Sequence, residues 1–484
     1  MRLTCTALLA LSLASWPRAE LQASPLLELV GGIGGGGGFN ARVIGHSPDA
    51  TYFNPALLST AAESFDISLF GVDTTLAIDV GIRPAQADIA PSIYDAWLGD
   101  GTGGVTPLTD PPLATEDLGP RQYDNGLTGF QSYVGFGAVK HIIGDKVVFG
   151  FYGSLPTRKI QSHSVFYADE REQYFSNSLR FELYDDRLSL STFAFALGSR
   201  VNDLVSVGVG FVGAIDTSAT TPVYVPDGGD LGRVYLAQSL SVDTRLSPHF
   251  GAELRPYSWL RVTAAVHTPT AVKVVGSNDI TLPNGTTEVQ EFEFTHGYDP
   301  LTIAVGAAGR VWTCRERELT VVASAVWRNW SSYVDRHSDS PAAVWNDTIT
   351  ANLGGRYRTG ETEFLVDATY VPSPVPDQTG RENYVDNSRF GVVAGVNADT
   401  EIFGTRLRGG FFLQGHRLLA RSVEKSEDDP NPVIDEFPDN SVLLADPNTP
   451  LAEAQGLQSN NPGYPGFSSS GFVLAAGVTV RLDF

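Results

Sequence analysis

Cysteine is almost absent. Once the first 23 residues are set aside, Cys314 stands alone. A lone thiol closes no internal disulfide, and no Cys/His spacing suited to a metal occurs, so neither metal nor cofactor is expected. Basic residues are also few: 33 against 55 acidic, a formal charge of −22 over 484 residues. Nucleic acid is a poor partner for such a chain. Long apolar runs are missing too. A spanning helix needs about 20 apolar residues, and none of that length follows the leader. Yet 42% of the chain is apolar, 10% aromatic and only 18% charged. The apolar content is spread out, as alternating membrane strands would spread it.

The start of the chain has the order of a secretory leader. Arg2 is followed by the apolar stretch Thr6–Trp16, too short to span a membrane, and then by small residues. Cleavage is expected after Leu21-Gln22-Ala23, or after Ala19. Cys5 precedes the apolar stretch, which does not fit a lipoprotein. The expected organisation is a signal peptide over 1–23, a plug over 24–62 and a barrel over 63–484.

Period-two patterning dominates the rest. In the last fourteen residues Phe472, Leu474, Ala476, Val478, Val480, Leu482 and Phe484 share one side. Thr479, Arg481 and Asp483 share the other, which makes a long strand with two unlike faces. Strands of this kind predict an all-β fold: a fourteen-stranded antiparallel transmembrane barrel. Upward strands are expected to begin near Phe65, Val147, Val205, Leu260, Leu319, Thr362 and Thr405. Downward strands should begin near Ser132, Leu188, Pro248, Leu301, Ile349, Arg389 and Gly471. Short turns join them at one end and long loops at the other, near 83–130, 157–187, 216–246, 270–299, 331–347, 372–387 and 417–470. Tyr257, Trp259, Trp312 and Tyr357 would form one aromatic belt, and Trp327, Trp330, Tyr333 and Tyr370 the other. The acidic run from Glu424 to Asp429 reads as a solvated loop, or as a contact for divalent cations or lipopolysaccharide.

Before the first strand the texture changes. The run Gly34, Gly35, Gly36, Gly37, Gly38 is followed by Ser47-Pro48-Asp49-Ala50 and by Asn54-Pro55-Ala56. Here the chain resembles the FadL-type family of outer-membrane transporters for long-chain fatty acids and other hydrophobic compounds. His249–Gly276, Leu319–Tyr333, Ser373–Asp377 with Val385–Gly395, and more weakly Phe195–Val212 are similar to stretches of the same family. The glycine run is richer than the family's usual hatch, and the loops over 83–130 and 417–470 are unlike its own. The first of these carries an amphipathic stretch (Ile89, Ile93, Trp97) that reads as a lid.

The resemblance implies a hatch that plugs the lumen, capture of substrate at outer loops, and lateral release through an inward kink in the third strand. Gly153 and Pro156 lie in that strand, although Pro156 equally suits its end. Lumenal arginines are numerous: Arg310, Arg328, Arg356, Arg389, Arg406, Arg408 and Arg481. Of these Arg328, Arg356, Arg389 and Arg408 are the candidates for a fatty-acid carboxylate, while Asp367, Glu363, Asp483 and Glu253 offer structural pairing instead. Expected partners are a hydrophobic small molecule, outer-membrane lipid with lipopolysaccharide, and the barrel-assembly machinery through the strand ending at Phe484. A monomer is expected, with no enzymatic activity. A general diffusion porin is the alternative, with an outer-membrane enzyme and a purely structural surface protein further off.

Overall fold

The computed structural model describes residues 24–34, 37–80, 127–144, 146–157, 188, 191–214, 218–226, 233–242, 246–281, 287–335, 338–341, 343–378, 384–402, 404–425 and 466–484. The expected leader, Gly35, Gly36, the stretch with Ile89, Ile93 and Trp97, and the acidic run beyond Lys425 lie outside these residues.

Among the described residues eighteen strands follow one another: β1 (Ser64–Val80), β2 (Leu127–Ile143), β3 (Val147–Pro156), β4 (Thr192–Arg200), β5 (Val205–Ala214), β6 (Ser218–Pro226), β7 (Arg233–Val242), β8 (Leu246–Tyr257), β9 (Leu260–His267), β10 (Thr270–Thr281), β11 (Thr287–Asp299), β12 (Thr302–Cys314), β13 (Arg317–Arg328), β14 (Thr348–Thr359), β15 (Thr362–Val371), β16 (Arg389–Ile402), β17 (Thr405–Glu424) and β18 (Gly466–Asp483). Fourteen close an antiparallel ring, leaving out β6, β7, β10 and β11. Closure is made by β1, which pairs with β2 on one side and with β18 on the other. Twelve of the fourteen starts read from periodicity fall on one of these strands, while Leu301 lies one residue ahead of β12 and Leu188 four residues ahead of β4.

The parity is as read. On β18, Phe472, Leu474, Val478 and Val480 are 41–52% exposed, while Val473 and Ala475 are at most 3%. An apolar face that shows half its area on the outside of a closed ring is a lipid-facing face, since no second sheet covers it.

Two expectations need correction. The stretches 216–246 and 270–299 are not plain loops, because β6, β7, β10 and β11 form a separate sheet in the order β11-β10-β7-β6. A lone two-stranded ribbon is marginal in water. Here the two ribbons reinforce each other, as β7 pairs with β10 over Val274–Thr281. The last long loop is also shorter than expected, because β17 runs on to Glu424 and β18 begins at Gly466.

The aromatic belt holds at the short-turn end and in part at the other, where Trp327 is half-buried. Tyr257, Trp259 and Trp312 are exposed by the short turns, with Tyr257 stacked on Trp259 at 5.6 Å. At the long-loop end Tyr370 is exposed, but Trp330 and Tyr333 are buried. A 3-10 turn over Trp330–Ser332 follows β13 and folds both inward. They pack with Trp345 and Tyr384, and Tyr333 stacks on Trp345 at 3.8 Å.

The hatch and the cavities above it

Residues ahead of β1 form helices α1 (Pro25–Val30), α2 (Ala41–Ile44) and α3 (Ala50–Phe53), then a 3-10 helix over Pro55–Thr60. Ser24 caps α1 through its side chain, and Pro25 suits the first turn because its missing N–H has no partner there anyway. Gly31 ends the helix at φ 76°. These elements touch the ring on every side. The 3-10 helix packs on β3, β4, β5 and β8, and α2 on β9, β12 and β13. Hydrogen bonds reach β14, β17 and β18. A segment that contacts strands all around a closed ring lies inside it, so the described residues of 24–60 sit within the lumen.

Three anchors hold this segment. At the first, Arg356 donates to both oxygens of Asp367, at 2.5 and 2.9 Å, and to Gly37 O at 2.9 Å. The Asn40 amide also donates to Asp367, at 3.3 Å. Gly38 passes close by at φ 51°, where a Cβ would lie 2.6 Å from the Asp367 carboxylate. Only glycine fits both the angle and the gap.

The second anchor is Glu28 on α1. Its carboxylate accepts from Arg42, from Arg328 at 2.6 Å and from the Tyr52 hydroxyl at 2.9 Å. Burial would raise the Glu28 carboxyl, but Arg42 and Arg328 outweigh it and hold the group well below the usual carboxylate range. Burial lifts the Tyr52 hydroxyl well above its ordinary value.

The third anchor is Asn54-Pro55-Ala56. Asn54 accepts from Ala56 N at 3.1 Å and donates to Arg42 O at 3.0 Å and Ala264 O at 3.4 Å. Pro55 opens the 3-10 helix. The wall makes room for the motif: a Cβ on Gly251 would lie 2.0 Å from Asn54 Oδ1, and one on Gly208 2.4 Å from the Pro55 carbonyl carbon.

Asp49 sits apart from these anchors. Ser47 donates to it, and one of its oxygens has no partner among the described residues. Burial pushes this carboxyl up to about 6, against the pull of Ser47 and the Gly34 amide.

The four candidate arginines now separate. Arg356 is taken by Asp367, Arg328 by Glu28, and Arg408 by Glu363 at 3.0 Å. Arg389 has no hydrogen bond or ion pair among the described residues, although it is 91% buried and its Nε is fully enclosed. It lines two small cavities of about 50 and 30 Å³ between α1 and the long-loop end. The larger is bounded also by Pro25, Trp330, Pro372 and Asp386, the smaller by Leu27, Phe39 and His416. Asp386 lies ahead of β16, and burial pushes its carboxyl up to about 6 against the pull of Ser373 and Arg389.

The third strand is continuous. Gly153 pairs with Phe136 on β2 and with Phe193 on β4, without a register shift at either place. Pro156 is its last residue. What Gly153 does supply is a notch on the outer face. The rings of Phe136 and Phe193 occupy the space of the missing side chain, 2.9 and 3.2 Å from where its Cβ would stand.

Some residues of the site carry no motif. Glu28 is one, although a single acid within the buried helix PLLELV was its signal. Gly208 and Gly251 are others, set among apolar strand residues with nothing local to mark their purpose.

No family profile matches the chain, and no curated protein sequence does either. Among solved structures, a Pseudomonas aeruginosa FadL homologue superposes with a TM-score of 0.56 at 14% identity, covering 95% of this chain and 99% of its own. The CymD monoaromatic hydrocarbon channel reaches 0.45 at 12% identity, over 95% and 97%. The Ralstonia pickettii toluene transporter TbuX reaches 0.44 at 13%, over 96% and 99%. The chain has the fold of the FadL homologue: a closed fourteen-stranded barrel.

Proposed function

We propose that this protein lies in the bacterial outer membrane, long loops outward, and passes hydrophobic small molecules inward by diffusion. The observation that carries the reading is the lumen itself, filled by a hatch pinned at three places, with a buried and unpaired Arg389 facing two cavities just above it. A general porin needs an open aqueous lumen, and a hatch bonded to the wall denies it one. The solved barrels of like fold are described as a FadL homologue, a monoaromatic hydrocarbon channel and a toluene transporter, which agrees.

The substrate class follows from Arg389. Its guanidinium makes no hydrogen bond or ion pair among the described residues, although Glu28, Asp299 and Asp386 share its larger cavity. It can hold a carboxylate through two hydrogen bonds, which favours an acid with a long apolar chain over a bare hydrocarbon. Release of apolar compounds is sideways at Gly153, where rings rather than a side chain of the strand fill the outer face. Partners in this reading are membrane lipid with lipopolysaccharide and the assembly machinery that takes up the strand ending at Phe484, and the protein acts as a monomer.

Uptake of a labelled long-chain carboxylate and of toluene by cells making Arg389→Gln tests the reading. A lost charge-assisted bond of about 1.5–3 kcal/mol corresponds to roughly tenfold or more. Half-saturation for the acid should rise by that factor while toluene entry stays unchanged. Equal behaviour of both compounds would remove Arg389 from substrate binding, and no uptake of either by the unaltered protein would end the transport reading.

A further inference from the structure

A larger space lies on the other side of the hatch. A cavity of about 560 Å³ opens at the short-turn end of the barrel. Ile44 and His46, at the end of α2, form its roof, and the turn joining β8 to β9 forms one wall with parts of β12 and β13. Two chemical characters meet in it. Ile44, Leu204, Leu260 and Ala308 are apolar, while Arg255, Arg261 and Arg310 are cationic. Its carboxylates are Asp203 and Glu318.

The guanidiniums are not fully satisfied. Behind the cavity the buried Glu253 holds both Arg255, at 2.9 Å, and Arg261, at 2.7 Å. One carboxylate therefore serves two cations. Arg255 Nη2 is enclosed without a partner among the described residues. Arg310 reaches Glu318 at 3.3 Å, with both side chains over a third exposed, so that bond is weak. Burial holds His46 well below its ordinary value, and Arg261, Arg408, Arg481 and Arg255 add to the effect. The roof is thus neutral and faces a positive field.

We infer that this vestibule binds an amphipathic carboxylate on the periplasmic side of the hatch, its chain along Ile44, Leu260 and Ala308 and its head at Arg255 and Arg310. The inference rests on the transport reading and adds a station to it. An apolar compound can leave through the wall into lipid. An ionised acid cannot do so cheaply, because a charge in the hydrocarbon layer costs several kcal/mol. It needs an exit that is wet and cationic, and pockets of mixed apolar and polar lining are the usual form of such sites.

The test is photolabelling in lipid nanodiscs with a diazirine-bearing dodecanoate and the matching dodecanol, mapped by peptide mass spectrometry. The acid should label residues 255–261 and 308–320, and the alcohol about three- to tenfold less. Arg255→Gln should lower the acid's label there by a similar factor and leave label beside Arg389 unchanged. Glu253 keeps Arg261 in that variant, so folding stands, and heat-shifted migration on a gel checks it. Arg310→Gln, on the exposed rim, is the second variant. Acid and alcohol labelling alike, or undiminished label in both variants, would overturn the vestibule. Label beside Arg389 with none below would overturn the vestibule alone. Absence of label at both places, together with absent uptake, would take the transport reading down as well.

Discussion

Glu28→Gln is the most direct perturbation of the hatch. The change keeps the shape of the side chain and removes its charge. In the unaltered protein one carboxylate lies between Arg42 of the hatch and Arg328 of the wall and also accepts from Tyr52. Its side chain is 14% exposed, so water screens little of this. Without the negative charge two enclosed guanidiniums face each other uncompensated. Breaking a buried pair in this way costs about 3–5 kcal/mol. The strand ladder does not use Glu28, so the cost falls on the docked state of the hatch. A loss of about 3 kcal/mol raises the undocked fraction by roughly a hundredfold. Single-channel recording in planar bilayers reads this: the unaltered protein should be mostly closed to ions, and the variant should show frequent open events. Its heat-shifted gel migration should be unchanged. A variant as silent as the unaltered protein would refute the idea that this triad holds the hatch in place.

Asp49 should make the hatch sensitive to pH. Its carboxyl is pushed up to about 6 in the docked hatch, above an ordinary value of about 3.9. The docked state therefore binds the proton more tightly. The stabilisation is complete below about pH 4 and is lost as pH rises through about 6. Ion leakage should increase over that range and Asp49→Asn should flatten it, whereas an identical slope in the variant would remove Asp49 as the cause. Asn54→Ala loses the bond to Ala56 N and those to Arg42 O and Ala264 O, a cost of about 1–3 kcal/mol. It should raise leakage or lower uptake without altering barrel migration, and wild-type values of both would show that the motif does not organise the gate. Gly153→Leu must displace Phe136 and Phe193 on the outer face. Slower toluene entry in a properly inserted variant is expected, and unchanged entry would place release elsewhere.

The barrel was legible because lipid and lumen impose opposite demands at a period of two. The start near Thr362 could be read from Phe364 and Val366 against Glu363 and Asp367 alone. The separate four-stranded sheet was not legible, because β7 and β10 are stabilised by pairing across a chain distance that no local pattern records. Trp330 and Tyr333 looked like interface residues, since an aromatic at a strand end reads the same whether it meets lipid or three other rings. The site was legible in part. Asn54-Pro55-Ala56 was visible as a motif, and Asp367 as a partner for arginine. That Arg328, Arg356 and Arg408 hold ion pairs while Arg389 makes none among the described residues depends on which carboxylates the ring brings near, and spacing along the chain does not carry that.

The anchors of the hatch also fix an order of events. Leu29 O meets Gln414, and His46 O meets Arg481, at separations of 385 and 435 residues. Gly37 needs the finished pairing of β14 with β15, which presents Arg356 beside Asp367. The Arg356–Asp367 surface needs only β14 and β15, but the ring that encloses the hatch is not complete until β18 has been laid against β1. Contacts so distant in sequence form late because loop closure must come first. Residues synthesised ahead of the ring are thus the last to find their places. In a refolding time course, protection of α1 against protease should appear only after the heat-shifted form, and protection that came earlier would contradict this order.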